Sequence, residues 1–204
     1  MKLPIDIDSV KGFLAKDEGE ALFSIARQHA GKAPVLEIGS YCGKSTLYLG
    51  VACQQIGATL YALDHHRGSE EHQLGEEYHD PDLFDVDLGL IDSFKQFRTN
   101  IRSAGLEDTV VPIVAASEVA ARHWNTPLAM VFIDGGHSMQ AAQTDYDCWA
   151  EKIIPGGILA IHDLFPNPAE GGQAPITIYR QALASGLFQE VEIINTLGLL
   201  RRLS

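Results

Sequence analysis

The sequence is short of cysteine and of long apolar runs, and each shortage excludes a class of protein. Only Cys42, Cys53 and Cys148 are cysteines among 204 residues. Because three is an odd number and the spacing suits no metal site, we expect small buried thiols rather than a disulfide framework. No stretch approaches the roughly 18 apolar residues that span a bilayer, and the first residues lack the apolar core of a signal peptide. We therefore expect a cytoplasmic protein with no membrane partner.

Basic residues are also scarce. Lysine and arginine number 15 against 27 acidic residues, a formal net charge of -12. An excess of this sign opposes contact with phosphate backbones, so no nucleic-acid partner is expected. Nine of the acids lie in residues 68–94, a stretch without lysine or arginine, while the remaining 18 nearly balance the 15 bases. The acidity is therefore a local feature.

This acidic stretch is too long for a simple connection, and connections longer than about 12 to 15 residues are usually functional or disordered. Leucine and aromatic residues are interspersed along it, so residues 65–91 are predicted to form a histidine-rich insertion or lid. Its four histidines are His65, His66, His72 and His79. Three roles are open for these histidines: exposure to solvent, contact with a polar or anionic substrate, or ligation of a metal ion. The sequence does not choose among them.

The remaining pattern alternates short β-branched runs with helical periodicity, which predicts an α/β fold with a mostly parallel, doubly wound sheet. One domain is expected over residues 1–204, with a helical N-terminal segment at 1–32. Predicted strands cover residues 34–38, 59–64, 110–114, 128–134 and 157–162; predicted helices cover 44–55, 92–104, 140–153 and 176–185, with a helix stop at 155–157. Two further strands, 188–194 and 198–203, are too close in sequence for a parallel crossover and predict an antiparallel hairpin at the C-terminal edge.

The first predicted strand runs into the segment Glu37-Ile38-Gly39-Ser40-Tyr41-Cys42-Gly43. Ligands of such sheets bind at the carboxyl ends of the strands, and glycines there let a ligand approach the backbone. A dinucleotide fingerprint requires a second glycine where Tyr41 stands, so NAD is disfavoured. A phosphate-binding P-loop fails by one residue, because only three residues separate Gly39 from Gly43.

The same segment resembles the first motif of class I S-adenosylmethionine-dependent methyltransferases, E-x-G-x-x-x-G, which an acid at the end of the second strand follows. From Leu14 onward the sequence is similar to small bacterial methyltransferases related to the cephalosporin-biosynthesis and catechol or caffeoyl-CoA O-methyltransferases. The segments that carry this resemblance are VLEIGSYCGKSTLYL, YALDHH, FIDGGH, the helix from Asp145 to Trp149 and IIPGGILAIHDLF.

The resemblance implies a Rossmann-like methyltransferase fold and S-adenosylmethionine as cofactor. Asp64 would accept hydrogen bonds from the ribose hydroxyls, and Ala116 and Ser117 would lie along the adenine, although a serine there is equally an ordinary helix cap. The full set of predicted cofactor-binding residues is Glu37, Gly39, Ser40, Gly43, Ser45, Asp64, His65, Ala116, Ser117 and Asp134.

Polar residues follow the fourth and fifth predicted strands, in Asp134-Gly135-Gly136-His137 and His162-Asp163. Ends of adjacent strands lie about 5 Å apart, so these four side chains can converge on a metal site or an acid–base site. In the catechol-type enzymes the matching acid and pair hold a divalent ion, which implies metal ligation by Asp134, His162 and Asp163. The imidazole is a departure from that pattern, because it suits Mn, Fe or Zn better than Mg.

His137 stands where the catechol-type enzymes place the lysine that deprotonates the substrate, and histidine ordinarily titrates near neutral pH. The sequence therefore predicts O-methylation of a small molecule, with His137 and Asp134 as catalytic residues and a possible divalent metal. Alternatives are methylation of nitrogen, carbon or a macromolecule, a non-catalytic S-adenosylmethionine binder, and a metal-dependent hydrolase. Relatives of this kind are often homodimers, so a homodimer is a further expectation.

Overall fold

A central β-sheet organises the protein, whose computed structural model describes residues 2–68 and 80–204. The strands are β1 (Val35–Ile38), β2 (Leu60–Asp64), β3 (Phe84–Asp85), β4 (Leu90–Ile91), β5 (Val110–Val114), β6 (Leu128–Ile133), β7 (Ile153–Ile161), β8 (Phe188–Ile194) and β9 (Leu197–Arg202). The helices are α1 (Lys16–His29), α2 (Lys44–Ile56), α3 (Phe94–Ser103), α4 (Ser117–Ala121), α5 (Met139–Trp149) and α6 (Ala174–Ala184).

Seven of the strands form one sheet in the order β5-β2-β1-β6-β7-β9-β8. The pairs from β5 to β7 are parallel, and β9 is antiparallel to both of its neighbours. This confirms the predicted α/β sheet with an antiparallel C-terminal hairpin. The strand order reverses at β1, which pairs with β2 on one side and β6 on the other. Such a switch point opens a crevice at the carboxyl ends of the strands.

Helices cover the sheet on both faces, as a doubly wound fold requires. Residues of α1, α2 and α3 pack on one face, and residues of α5 and α6 pack on the other. Strands β1 and β6 are buried along their whole length, whereas the edge strand β5 exposes Val111 and Val114. Pro112 interrupts the apolar residues of β5, and a proline is tolerated there because β5 is an edge strand. Within residues 2–68 and 80–204, no helix has both the length and the apolar character to cross a membrane.

The predicted helix over 140–153 and its stop at 155–157 are wrong in their details. Helix α5 ends at Trp149, a short 3-10 helix covers Ala150–Lys152, and β7 already begins at Ile153. The Pro-Gly-Gly segment lies inside β7, where the pairing with β6 shifts between Leu128 and Met130. Two residue steps along β6 oppose five along β7 there, so the irregularity accommodates three extra residues in β7. Pro-Gly-Gly therefore marks an irregular part of a strand and not the end of a helix.

The predicted insertion is described only in part, because residues 69–79, with His72 and His79, lie outside the described residues. Its later portion contains a 3-10 helix at Pro81–Leu83 and the small hairpin of β3 and β4. Leu83 and Ile91 pack against Cys42. Lys11 Nζ lies 2.6 Å from an Asp80 oxygen and 2.8 Å from an Asp82 oxygen, which ties this portion to the segment that precedes α1.

The packing of α1 on α2 gives a test of the fold. Gly19 lies against the buried ring of Tyr48, and a Cβ at this position would overlap that ring. We predict that Gly19→Ala lowers the free energy of unfolding by up to about 2 kcal/mol, since an overpacking cost of about 1–3 kcal/mol exceeds the gain of up to about 1 kcal/mol in helix propensity. Urea denaturation measures the change. Gly31→Ala, which meets no atom within 4 Å, is the control, and equal stability of the two variants would contradict the packing described.

Candidate active site

A cavity of about 970 Å³ lies at the carboxyl ends of the parallel strands. Most of the residues predicted from the sequence line it: Gly39, Ser40, Ser45, Asp64, His65, Ala116, Ser117, Asp134, His137 and Asp163. Three others, Glu37, Gly43 and His162, are absent from its lining. Glu37 and His162 are nevertheless buried close to it, and each holds a residue of the wall.

The turn after β1 requires glycine for steric reasons. Gly39 has a φ of +88°, and a Cβ there would overlap the backbone carbonyl of Asp134. Gly43, with a φ of +92°, is the N-cap of α2. Backbone from the ends of β1 and β6 therefore meets at the cavity floor, at a distance that excludes any side chain at Gly39.

Glu37 anchors this turn from beneath. Its two carboxyl oxygens accept hydrogen bonds from Ser45 Oγ and Thr46 Oγ1, each at 2.5 Å, and the side chain is fully buried. Burial raises the pKa of Glu37 to about 8, because it outweighs the two hydrogen bonds and because the charges of Asp134 and Asp64 act in the same direction as burial. Glu37 thus fixes the first turn of α2 to the end of β1.

Asp64 joins the turn to the start of the insertion. One carboxyl oxygen accepts the backbone N–H of Tyr41 at 2.7 Å, and the other accepts that of His66 at 2.7 Å. Each oxygen has a second lone pair. Tyr41 and His66 both adopt left-handed backbone conformations, with φ values of 45° and 58°. His66 Nδ1 also lies 2.8 Å from Ser93 Oγ, where the insertion returns to the cavity wall.

Ser117 does not cap α4, since the N-cap residue is Ala116. The Ser117 hydroxyl donates to the carboxylate of Asp145 and accepts Trp149 Nε1–H at 3.2 Å. Burial raises the pKa of Asp145 to about 6 against the opposing effect of the Ser117 hydrogen bond. Asp145 also lines the cavity. Asp145 begins one of the segments that resemble the methyltransferases, but nothing in the sequence assigned this residue to the active site.

The ends of β6 and β7 bring two histidines and two acids together. His137 Nε2 lies 2.9 Å from Asp163 Oδ2. His162 is almost fully buried, with Nδ1 3.1 Å from Asp134 Oδ1 and 3.4 Å from Asp163 Oδ1. Asp163 itself has a left-handed backbone, with a φ of 59°. Such conformations in residues other than glycine concentrate at functional sites.

The other face of His162 meets Glu18, a residue of α1 that the sequence gave no reason to select. His162 Nε2 lies 2.9 Å from Glu18 Oε2, and Glu18 Oε1 accepts hydrogen bonds from Thr196 N and Oγ1. Burial opposes both charges, but the pairing dominates: the pKa of Glu18 falls to about 2 and that of His162 rises to about 12. The hydrogen bonds from His137 and His162 likewise overcome burial and lower the pKa of Asp163.

Asp134, His162 and Asp163 each offer one ligand atom, and these atoms lie within 4.8 Å of one another. Two carboxylates and one imidazole form a donor set that suits a divalent transition metal. The contact between His162 Nε2 and Glu18 has the geometry of the outer carboxylates that orient metal-binding histidines. His162 Nδ1 fits as the nitrogen ligand only if it gives up the proton that its carboxylate partners stabilise, so metal binding at this cluster would release a proton.

Comparison with known proteins agrees with this architecture. A family model described as a methyltransferase domain matches residues 36–164. The O-methyltransferase NovP superposes with a TM-score of 0.69 at 14% identity, over 91% of this chain and 79% of that one. TomG of Streptomyces achromogenes, an O-methyltransferase of tomaymycin synthesis solved with S-adenosylmethionine, gives 0.64 at 15%, over 94% and 82%. An O-methyltransferase from Bacillus cereus with S-adenosylhomocysteine gives 0.63 at 16%, over 94% and 83%.

The chain therefore belongs to this family of methyltransferase domains. Its fold is the Rossmann-like fold of class I S-adenosylmethionine-dependent methyltransferases. The sequence had indicated the same class on its first motif and its two strand-end motifs, and that prediction is confirmed.

The buried carboxyl of Glu37 leads to a prediction about stability and pH. A folded-state pKa raised to about 8 means that the folded protein binds this proton more tightly than the unfolded chain. Its contribution to stability is therefore complete below the ordinary value near 4.5 and is lost as the pH rises through about 8. We predict that Glu37→Gln, which mimics the protonated form, gains stability relative to the unmodified protein between pH 6 and pH 9.

Urea denaturation at about pH 6 and about pH 9 measures this difference, which the linkage between proton binding and folding requires. Glu107→Gln, at an exposed carboxyl, controls for the loss of a charge. A Glu37→Gln variant that keeps the same stability difference at both pH values would show that Glu37 is ionised in the folded protein.

Proposed function

We propose that the protein transfers the methyl group of S-adenosylmethionine to an oxygen atom of a small molecule, with His137 as the general base. The observation that carries this proposal is the His137–Asp163 contact of 2.9 Å on the wall of the cavity. An imidazole oriented by a carboxylate is the usual arrangement of a catalytic base. It occurs here beside the turn after β1 that matches the donor motif.

The donor site is formed by the ends of β1, β2 and β5. Gly39 removes side-chain bulk from the floor, and Asp64 presents oxygens with acceptor capacity beyond their two backbone hydrogen bonds. Vicinal ribose hydroxyls are suitable donors to such a carboxylate. The solved structures of TomG with S-adenosylmethionine and of the Bacillus cereus enzyme with S-adenosylhomocysteine support this donor.

The chemistry requires little more than positioning and proton removal, because a sulfonium is already an activated methyl donor. The protein must align the acceptor oxygen with the methyl–sulfur bond, and such alignment supplies up to roughly 7–11 kcal/mol. His137 takes the proton of the hydroxyl as the new oxygen–carbon bond forms. Asp163 holds the ring in place and stabilises the imidazolium that results. A base placed in this way contributes typically about 10²- to 10⁴-fold.

The charges on the cavity wall favour a neutral or cationic acceptor. Among the described residues, six acidic ones line the cavity: Asp64, Glu118, Asp134, Asp145, Asp163 and Glu170. A pocket of this sign repels phosphate groups and attracts cations. This supports a small-molecule acceptor over a nucleic acid. It also disfavours methylation of a phosphate-rich macromolecule, one of the alternatives that the sequence leaves open.

A divalent ion is a second element of the proposal. Asp134, His162 and Asp163 would hold it, and when bound it would lower the pKa of the acceptor hydroxyl and fix its direction. Glu18 keeps His162 Nε2 engaged, so Nδ1 is the ring atom that faces the two aspartates. A donor set that includes nitrogen favours Mn or Fe over Mg.

We predict that His137→Ala lowers turnover by about 10²- to 10⁴-fold, since it removes the base. The assay is release of S-adenosylhomocysteine with a panel of small hydroxylated acceptors. Affinity for S-adenosylhomocysteine, measured by calorimetry, should be unchanged because His137 belongs to the acceptor side of the cavity. His123→Ala, at an exposed histidine on a loop, is the matched control. Full turnover of His137→Ala would exclude this histidine as the base.

The metal is tested without turnover. We expect titration with Mn²⁺ to give a binding isotherm with the unmodified protein and none with Asp163→Ala, which removes one of three clustered ligands. Asp108→Ala removes an exposed acid in a turn and should leave the isotherm unchanged. Binding by Asp163→Ala as tight as that of the unmodified protein would place the ion elsewhere.

A further inference from the structure

The loop between β7 and α6, residues 164–173, forms the wall of the cavity beside the proposed base. Four of its residues line the cavity: Phe165, Glu170, Gly171 and Gly172. A Cβ at Gly172 would lie 3.5 Å from the Cβ of His137, so the loop passes directly beside that histidine. An acceptor whose hydroxyl reaches His137 must therefore lie against this loop.

Local backbone geometry holds the Phe165 ring in this wall. The left-handed conformation of Asp163 and a 3.0 Å hydrogen bond from Phe165 N to the Asp163 carbonyl oxygen turn the chain sharply after β7. The ring packs against Gly171, where a Cβ would overlap it. Gln173 Nε2 closes the loop by donating hydrogen bonds to the carbonyl oxygens of Phe165 and Gly171, at 3.0 and 3.1 Å. The half-buried ring is thus a fixed apolar surface on the acceptor side.

Glu170 places a carboxylate at the rim of the same wall. Its side chain is exposed and, among the described residues, meets a neutral group, the Asn167 amide, which donates to Oε1 at 3.3 Å. The loop contains no lysine or arginine. Within the described chain, the lysines that line the cavity are Lys11 and Lys44, which belong to the N-terminal segment and to α2. A cationic group of the acceptor is therefore the partner that the charge of Glu170 favours.

The cavity has room for an acceptor beside the donor. Its volume of about 970 Å³ lies at the upper end of the range of roughly 300–1,000 Å³ that small-molecule sites occupy. The donor motif follows β1 and Asp64 ends β2, whereas this loop follows β7, two strands away from β1 in the sheet. Two strand spacings are about 10 Å, so the loop contacts the acceptor and leaves the donor side free.

We propose that the β7–α6 loop selects the acceptor, and that the acceptor is an amine that carries its hydroxyl on an apolar body. Phe165 binds the apolar body, and Glu170 pairs with the ammonium at the rim while the hydroxyl points to His137. This inference rests on the proposed function, because His137 as the base fixes the end of the cavity at which the acceptor binds. Phe165 and Glu170 determine specificity and take no part in the methyl transfer itself.

The test uses three probes of similar shape and different charge: tyramine, 4-ethylphenol and 3-(4-hydroxyphenyl)propionate. Each is titrated by calorimetry into protein saturated with S-adenosylhomocysteine, so that the donor side is filled. We expect tyramine to bind about three- to fivefold more tightly than 4-ethylphenol, the gain of a partly exposed ion pair, and the anionic probe to bind most weakly. Glu170→Gln should reduce the preference for tyramine to less than about twofold. Glu192→Gln, at an exposed carboxyl of β8, should leave the preference unchanged.

Two further variants test the aromatic wall. Phe165→Leu should weaken tyramine and 4-ethylphenol alike, by about two- to tenfold, because each probe loses an aromatic contact. Gly171→Ala should weaken both as well, since its methyl group would displace the Phe165 ring. Affinity for S-adenosylhomocysteine should stay within about twofold in every variant, because the loop lies away from the donor side, and this measurement also shows that each variant has folded.

Equal binding of tyramine and 4-ethylphenol by the unmodified protein would overturn the inference, as would unchanged affinities in Phe165→Leu. A preference for tyramine that survives Glu170→Gln would also overturn it, because the ammonium would then pair with another acid of the wall. If the protein binds S-adenosylhomocysteine but none of the three probes, the acceptor class is wrong and the donor assignment stands. If it binds neither S-adenosylmethionine nor S-adenosylhomocysteine, the proposed function itself fails.

Discussion

The buried imidazole of His162 connects the parts of the molecule that form the site. Its two ring nitrogens face Glu18 on α1 and Asp134 at the end of β6, and Glu18 in turn accepts hydrogen bonds from Thr196 in the β8–β9 turn. A charge removed from water costs several kcal/mol unless it is fully paired. Here Glu18 is itself hydrogen-bonded to Thr196, so three elements far apart in the sequence are held in one arrangement. The positions of Asp134 and Asp163 on the cavity wall depend on it.

Electrostatics divides the cavity into regions with different tasks. The pairing around His162 keeps Glu18 and Asp163 ionised, while burial without a cationic partner favours the neutral form of Glu37 and raises the pKa of Asp145 only to about 6. Carboxyl groups in one small volume thus take different charges according to their neighbours. The ionised ones lie where β6 and β7 end, beside the proposed base. Glu37 lies beneath the donor side, where its hydrogen bonds to Ser45 and Thr46 hold the first turn of α2 in place.

Much of the fold and part of the site could be predicted from the sequence, for a reason that the structure makes plain. Strand ends and tight glycine turns are local features, so the turn at Gly39, the acid at Asp64 and the pairs after β6 and β7 were all visible as short motifs. The structural role of Glu37 could not be predicted. The sequence suggests a contact with the cofactor, whereas in the structure Ser45 and Thr46 donate hydrogen bonds to its carboxyl group beneath the cavity wall. Glu18 carries no local signal at all, since its partner is 144 residues away. The irregular part of β7 was predicted as a helix end, because Pro-Gly-Gly occurs both after helices and at irregular positions within strands.

The contact between α1 and His162 also bears on what counts as the minimal unit of this protein. The recognised family region covers residues 36–164, and Glu18 and Thr196 both lie outside it. A fragment cut at those limits would keep the imidazole and Asp134 but lose the carboxylate on the other side of the ring. One of its buried nitrogens would then be without the acceptor that the full chain provides. The region of sequence similarity is therefore shorter than the region needed to pair the buried imidazole. Fragments or chimaeras of this fold need α1 and the β8–β9 hairpin from the same parent protein.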